Sequence, residues 1–206
     1  MSVTRVLLGT LAAAAMLPGA QAATAWDEGA SGDFANLGAT PTPISLGLGS
    51  NLIIGSTGRS GAGVVDRDYF TFTLPAGWQL DTITVMPGTV SIGPSTISFI
   101  AVEAGTQVLT NPTGGSAAQL LGWWHYGPND IGSDILGVIG LGPGAIGFTG
   151  SLPAGSYSFW IQETATGSAP YVLDFGVSAV PEPAAALMLA AGLAAIGLGR
   201  RRTRGA

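Results

Sequence analysis

The 206-residue chain contains no cysteine. That removes disulfides, thiolate zinc sites, iron–sulfur clusters and a cysteine nucleophile at one stroke. Lysine is absent too: the seven basic residues are all arginine, set against 12 acids for a net charge of −5. No basic stripe exists to neutralise phosphates, so nucleic acid is excluded as a partner. His125 is the only histidine, and no G-x-S-x-G nucleophile elbow accompanies it, so a Ser-His-Asp triad has no scaffold and a histidine-based metal site has no ligand set. Charged residues make up 9% of the chain against about 25% in ordinary proteins. With 47% hydrophobic residues, a disordered chain is excluded as well.

What is abundant is glycine and proline, 33 and 13 residues, together with two apolar segments at the ends. Residues 1–22 read as a secretory signal peptide: Arg5 supplies a small positive region, and Val6 through Leu17 an apolar core. Pro18 and Gly19 then break the helix, and Ala20-Gln21-Ala22 offers the small-x-small cleavage site, with Ala20 and Ala22 as the recognised positions. Residues 180–206 have another grammar. Pro181-Glu182-Pro183 is followed by an apolar run from Ala184 to Gly199 and then by Arg200-Arg201-Arg202-Thr203-Arg204. Two prolines hold the tripeptide extended and open to an enzyme. The apolar run is short for a ~30 Å hydrocarbon core, but snorkelling arginines extend it. Those arginines belong on the cytoplasmic side, which leaves the exported body outside. The tail resembles the PEP-CTERM sorting signal of Gram-negative bacteria. That resemblance implies processing by an exosortase, transient insertion in the inner membrane and genomes that also make exopolysaccharide. Signal peptidase and exosortase are the implied processing partners, and Pro181, Glu182, Pro183, Arg200, Arg201 and Arg202 the sorting residues.

Between these labels, residues 23–179 form one exported domain with eleven acids against Arg59 and Arg67, a formal charge of −9. Hydrophobicity there has period 2. Phe70, Phe72 and Leu74 alternate with Thr71 and Thr73; Tyr157, Phe159 and Ile161 alternate with Ser158, Trp160 and Gln162; Tyr171, Leu173, Phe175 and Val177 alternate with Val172 and Asp174. This is the half-buried strand pattern, and residues 82–85 and 95–100 add further strands. Leu-Pro-Ala-Gly at Leu74 and again at Leu152 marks tight turns. The expected fold class is all-β, a β-sandwich or jelly roll, flanked by an N-terminal signal helix and a short C-terminal apolar helix. Trp26-Asp27-Glu28, Gly32-Asp33, Asn51 to Gly55 and Asp66-Arg67-Asp68-Tyr69-Phe70-Thr71-Phe72 with Leu74-Pro75-Ala76-Gly77 also resemble the bacterial pre-peptidase C-terminal (PPC-like) domain. The resemblance implies a β-jelly roll, some of whose members bind calcium or polymers.

Few residues in the body point to chemistry. Asp27, Glu28, Asp33, Asp66 and Asp68 are carboxylates of the kind calcium takes from loops, though no EF-hand is present; an alternative role for Asp66 and Asp68 is to cap the start of a strand or pair with Arg67. No metal site or cofactor is assigned from sequence. Gly142 to Gly147 matches G-x-G-x-x-G, but no helix start follows and no βαβ unit places an acid about 20 residues on, so a dinucleotide site is rejected. Trp123, Trp124 and Tyr126, around His125, are the candidate ligand-binding residues, because aromatic faces stack on sugar rings; anchoring a loop to the core is their other reading. The expected function is therefore a non-catalytic exported surface or extracellular-matrix protein, associated with exopolysaccharide. The alternatives are an extracellular carbohydrate-active hydrolase with a carboxylate site and a calcium-stabilised adhesion module.

Overall fold

A computed structural model describes residues 22–93 and 97–180; the signal segment, the Pro-Glu-Pro tripeptide, the apolar tail and its arginines lie outside the described residues. Among the described residues nine strands build a nearly closed, mostly antiparallel sheet: β1 (Ala23–Asp27), β2 (Thr42–Pro43), β3 (Asn51–Arg59), β4 (Val65–Leu74), β5 (Trp78–Val85), β6 (Ser98–Ala104), β7 (Gly122–Tyr126), β8 (Gly155–Gln162) and β9 (Gly167–Ala179). Their order is β5-β9-β3-β4-β8-β6-β7, with β1 parallel beside β3 and β2 parallel beside β4.

The sheet turns a corner at the β3–β4 hairpin. There only Gly58 with Asp66 and Arg59 with Val65 are paired, so β3 departs to pair with β9 and β4 to pair with β8. At the corner Gly58 lies against the Gly167 carbonyl so closely that a Cβ has no space. The two sections fold face to face because their inward rows are aromatic. Phe70 of β4 stacks on Phe159 of β8 at 5.5 Å and meets the edge of Phe175 of β9 at 5.9 Å. Phe72 also meets Phe175 edge-on. Burial of these rings supplies the main driving force for closure.

The remaining gap, between β5 and β7, is filled by the segment around the short helix α2 (Leu136–Ile139). Ile135 N–H donates to the Ile83 carbonyl of β5, and Asp134 Oδ1 accepts from Ile83 N–H. On the other side Gly122 of β7 packs on the Ile139 carbonyl. Leu136 and Ile139 are buried there.

The period-2 reading holds for β4 and β9, whose inward residues are buried and whose alternate residues are mostly half-buried or exposed. In β8 it holds for one face only. Ser158 and Trp160, expected outside, are buried as well, because the loop after β6 lies over them: Ser158 Oγ donates to the Gly105 carbonyl, and Val108 and Leu120 pack with Trp160. The strand expected over 95–100 runs instead from Ser98 to Ala104, with residues 94–96 not described. Gly77 adopts φ 81°, and Trp78 N–H donates to the Pro75 carbonyl, so the first Leu-Pro-Ala-Gly is a tight turn. The 142–147 segment straps the entry to β7: Gly142 lies against Trp123, and Ile146 and Gly147 N–H donate to the Leu120 and Leu121 carbonyls just before the strand.

Candidate functional site

Two groups of side chains have chemical potential, and both depend on contacts distant in sequence. The first starts at β1. Pairing of Ala23–Asp27 with Asn51–Ile54 carries the following turn against β3. Asp27 caps the one-turn helix α1 (Glu28–Ser31) by accepting from Gly29 N–H at 2.9 Å, a local role that satisfies a free amide. Beyond the turn, Phe34 plugs into the core, 5.2 Å from Trp26 and 5.1 Å from Phe70. This plug brings the 28–33 turn over β4.

As a result, one carboxylate oxygen each from Glu28, Asp33 and Asp68 lies within 4.8 Å of the others. Glu28 is held in place by backbone amides: Oε1 accepts from Phe34 N–H at 3.2 Å and Oε2 from Ser56 N–H at 2.8 Å. Asp68 is fully buried. Its Oδ2 accepts the Tyr171 hydroxyl at 2.6 Å, while Oδ1 has no partner among the described residues. Gly55 permits this approach, since a Cβ there would stand 2.5 Å from the Tyr171 hydroxyl oxygen and 3.1 Å from Asp68 Oδ2.

The electrostatics follow from crowding acids without a counter-charge. Burial, reinforced by the Glu28 charge, pushes the Asp68 carboxyl up to about 9. Burial and the neighbouring Asp33 push Glu28 up to about 7, against the pull of its two amide donors. Asp66, which accepts from Asn36 Nδ2 at 3.2 Å, is raised as well, by burial and then by Asp33. Neither arginine of the body neutralises them: Arg59 Nε donates to the Thr164 carbonyl and Arg67 Nε to Gln162 Oε1. Of the five acids singled out from sequence, three converge, Asp66 borders them and Asp27 is a helix cap.

The second group lies on the outer face of β4, β8, β6 and β7. Tyr69 stacks on Trp160 at 6.0 Å, Trp160 meets Phe99 at 4.7 Å, and Phe99 stacks on Trp123 at 5.9 Å with His125 at 5.5 Å. Register explains the row, because Phe99 pairs with His125 and Ala101 with both Trp123 and Trp160. Alternation therefore separates the residues grouped in sequence. Trp123 and His125 share this face. Tyr126 points the other way into the core, fully buried, and Trp124 sits at the sheet edge, 36% exposed. Tyr126, read from sequence as a candidate ligand contact, is thus a core residue because alternation turns it inward. Phe99, Trp160 and Thr110, which line the cleft here, were not singled out from sequence; the signal present was the alternate row of β8, read there as outward.

Where the body ends, β9 is clamped: Ala179 pairs with Trp78, and Val180 N–H donates to the Gly77 carbonyl at 2.7 Å. The next residues decide the address. Residues 179–203 match the PEP-CTERM protein-sorting motif. The PEP-CTERM match supports an exported protein destined for the cell envelope or surface and processed by an exosortase. It begins at Ala179, the last residue of β9. No curated protein matches the chain, and no solved structure does. No helix among the described residues is long and apolar enough to cross a membrane; the apolar PEP-CTERM tail lies outside them.

Proposed function

We propose that this is a non-catalytic cell-surface or extracellular-matrix protein, sorted through its PEP-CTERM tail and associated with exopolysaccharide. In this reading the tail anchors the chain in the inner membrane only until the exosortase acts, and the body works as a β-sandwich of the PPC-like kind. The observation that carries it is the motif at 179–203, starting where β9 is clamped. Cleavage beyond Val180 breaks none of the strand pairing described for the body, so processing leaves β9 clamped. The absence of a catalytic role is proposed on chemistry: His125, exposed beside Phe99 and Trp123, has no hydrogen-bonded carboxylate among the described residues, and the converging carboxylates include one buried against Tyr171.

The test is mass spectrometry of the mature protein from secreted and membrane fractions of its native host. The expected mature chain lacks Arg200, Arg201 and Arg202. An intact arginine tail on all mature protein overturns the sorting reading.

A second reading is favoured by the Glu28–Asp33–Asp68 cluster: a module stiffened by a divalent cation such as calcium. Hard oxygen ligands from a turn and a strand suit that ion. The unused Asp68 Oδ1 supports it, since a buried carboxylate oxygen without a partner is costly. This reading is compatible with the first, because a cation that cements the N-terminal turn onto β4 leaves the outer face free.

A further inference from the structure

We propose that the cleft on the outer aromatic row is a binding site for a neutral saccharide, with Trp123 as its stacking platform. It measures about 350 Å³, near the lower end of the ~300–1,000 Å³ of small-molecule sites. Its floor is the sheet, through Phe99, Trp123, His125 and Trp160, and its wall is the loop around Thr110 and Asn111.

The lining selects the ligand chemistry. Of the residues around the cleft none is acidic or basic apart from His125, so an ionic ligand has no counter-charge. The Trp123 ring is held rigidly, its Nε1–H donating to the Pro143 carbonyl at 3.0 Å and its face against Phe99. A fixed indole is what a pyranose needs, since the C–H face of the sugar meets the negative face of the ring. Hydrogen-bonding capacity also remains unused here. Among the described residues, Trp160 Nε1–H and Thr110 Oγ1 are buried without partners, and Gln162, whose Oε1 is taken by Arg67, keeps its NH2 group. Aromatic faces edged by uncharged donors and a hydroxyl suit a polyhydroxylated ring better than a lipid, which has no use for the donors, or a charged peptide, which lacks a partner.

This inference rests on the reading of the protein as a surface component associated with polysaccharide and adds the site and the ligand class. Its test uses the purified full chain and is independent of tail processing, so the two readings fail separately. Tryptophan fluorescence and calorimetry are followed against neutral gluco-, galacto- and manno-oligosaccharides, with an anionic oligosaccharide and a polyproline peptide as further arms. Saturable binding of a neutral sugar is expected. Trp123→Ala weakens it by about tenfold or more, Trp123→Phe restores part of it, and Gln162→Ala weakens it without changing the melting temperature. Trp124→Ala, at the sheet edge, leaves it unchanged. Binding confined to the anionic sugar or the peptide overturns the proposal, as does equal loss in Trp123→Ala and Trp124→Ala, or no binding in any arm.

Discussion

In chelator-treated protein the melting temperature falls as the pH is raised from about 4 to about 9, and added calcium brings it back. The direction follows from proton binding. Asp68 keeps its proton in the folded state up to about 9, against an ordinary value near 3.8, and Glu28 up to about 7, against 4.5. Between these limits the folded protein holds protons that the unfolded chain has released. The associated stability is fully present below the ordinary carboxylate range and is lost as pH rises through the folded values. A divalent cation replaces those protons, so its affinity rises with pH. At a hundredfold excess over its dissociation constant a ligand adds about 2.7 kcal/mol, or roughly 5–11 °C at ~2–4 °C per kcal/mol for a domain of this size. Asp68→Asn keeps the Tyr171 contact, removes the buried titrating carboxyl, flattens much of the pH dependence and abolishes the calcium shift. Differential scanning calorimetry at several pH values, with and without calcium, reads all of this. A metal-free melting temperature that rises steadily from pH 4 to 9 would overturn the electrostatic account. An unchanged melting temperature on adding calcium at pH 8 would overturn the cation reading alone.

Replacing Phe70 by alanine is the most damaging single core change expected. Phe70 is fully buried and touches rings from three separate parts of the chain: Phe34 of the N-terminal plug, Phe159 of β8 and Phe175 of β9. Truncating a buried phenylalanine costs about 3–5 kcal/mol when the cavity cannot collapse, and rings fixed by three elements leave little room for collapse. The melting temperature should drop on the order of 10 °C, with the urea midpoint falling in parallel. Thr73→Val, three residues on and exposed, gives up a hydroxyl contact with Ser156 and should stay within about 0.5 kcal/mol. Similar losses from both variants would mean that the inward aromatic row is not what joins the two sections.

The legible parts of the fold are those with local periodicity. In β4 and β9 the inward rows Phe70-Phe72-Leu74 and Tyr171-Leu173-Phe175-Val177 could be read off directly, because a strand places every second side chain on one face. The same rule misled for Ser158 and Trp160, since alternation says which residues share a face and nothing about whether a loop covers it. It also explains the aromatic cluster. Trp123, Trp124 and Tyr126 are neighbours in sequence, but a strand sends Trp123 and Tyr126 to opposite faces. The cleft was not legible because its other walls, Phe99, Thr110 and Trp160, come from three separate segments.

The sequence by itself determined the address and the class of body: a Pro-Glu-Pro tail with its arginines, and period-2 runs broken by glycine and proline. These are local properties, set by side chains a few residues apart and read by processing enzymes or by the pleat of a strand. Tertiary structure alone decided which carboxylates meet and which aromatic rings line a cleft. Asp27 and Glu28 are adjacent, yet one caps a helical turn while the other reaches Asp68, forty residues away. The reason is that β1 lies parallel beside β3 and Phe34 plugs the core. Convergence of that kind depends on strand partners and register. Those follow from the packing of the whole sheet, which no local pattern records.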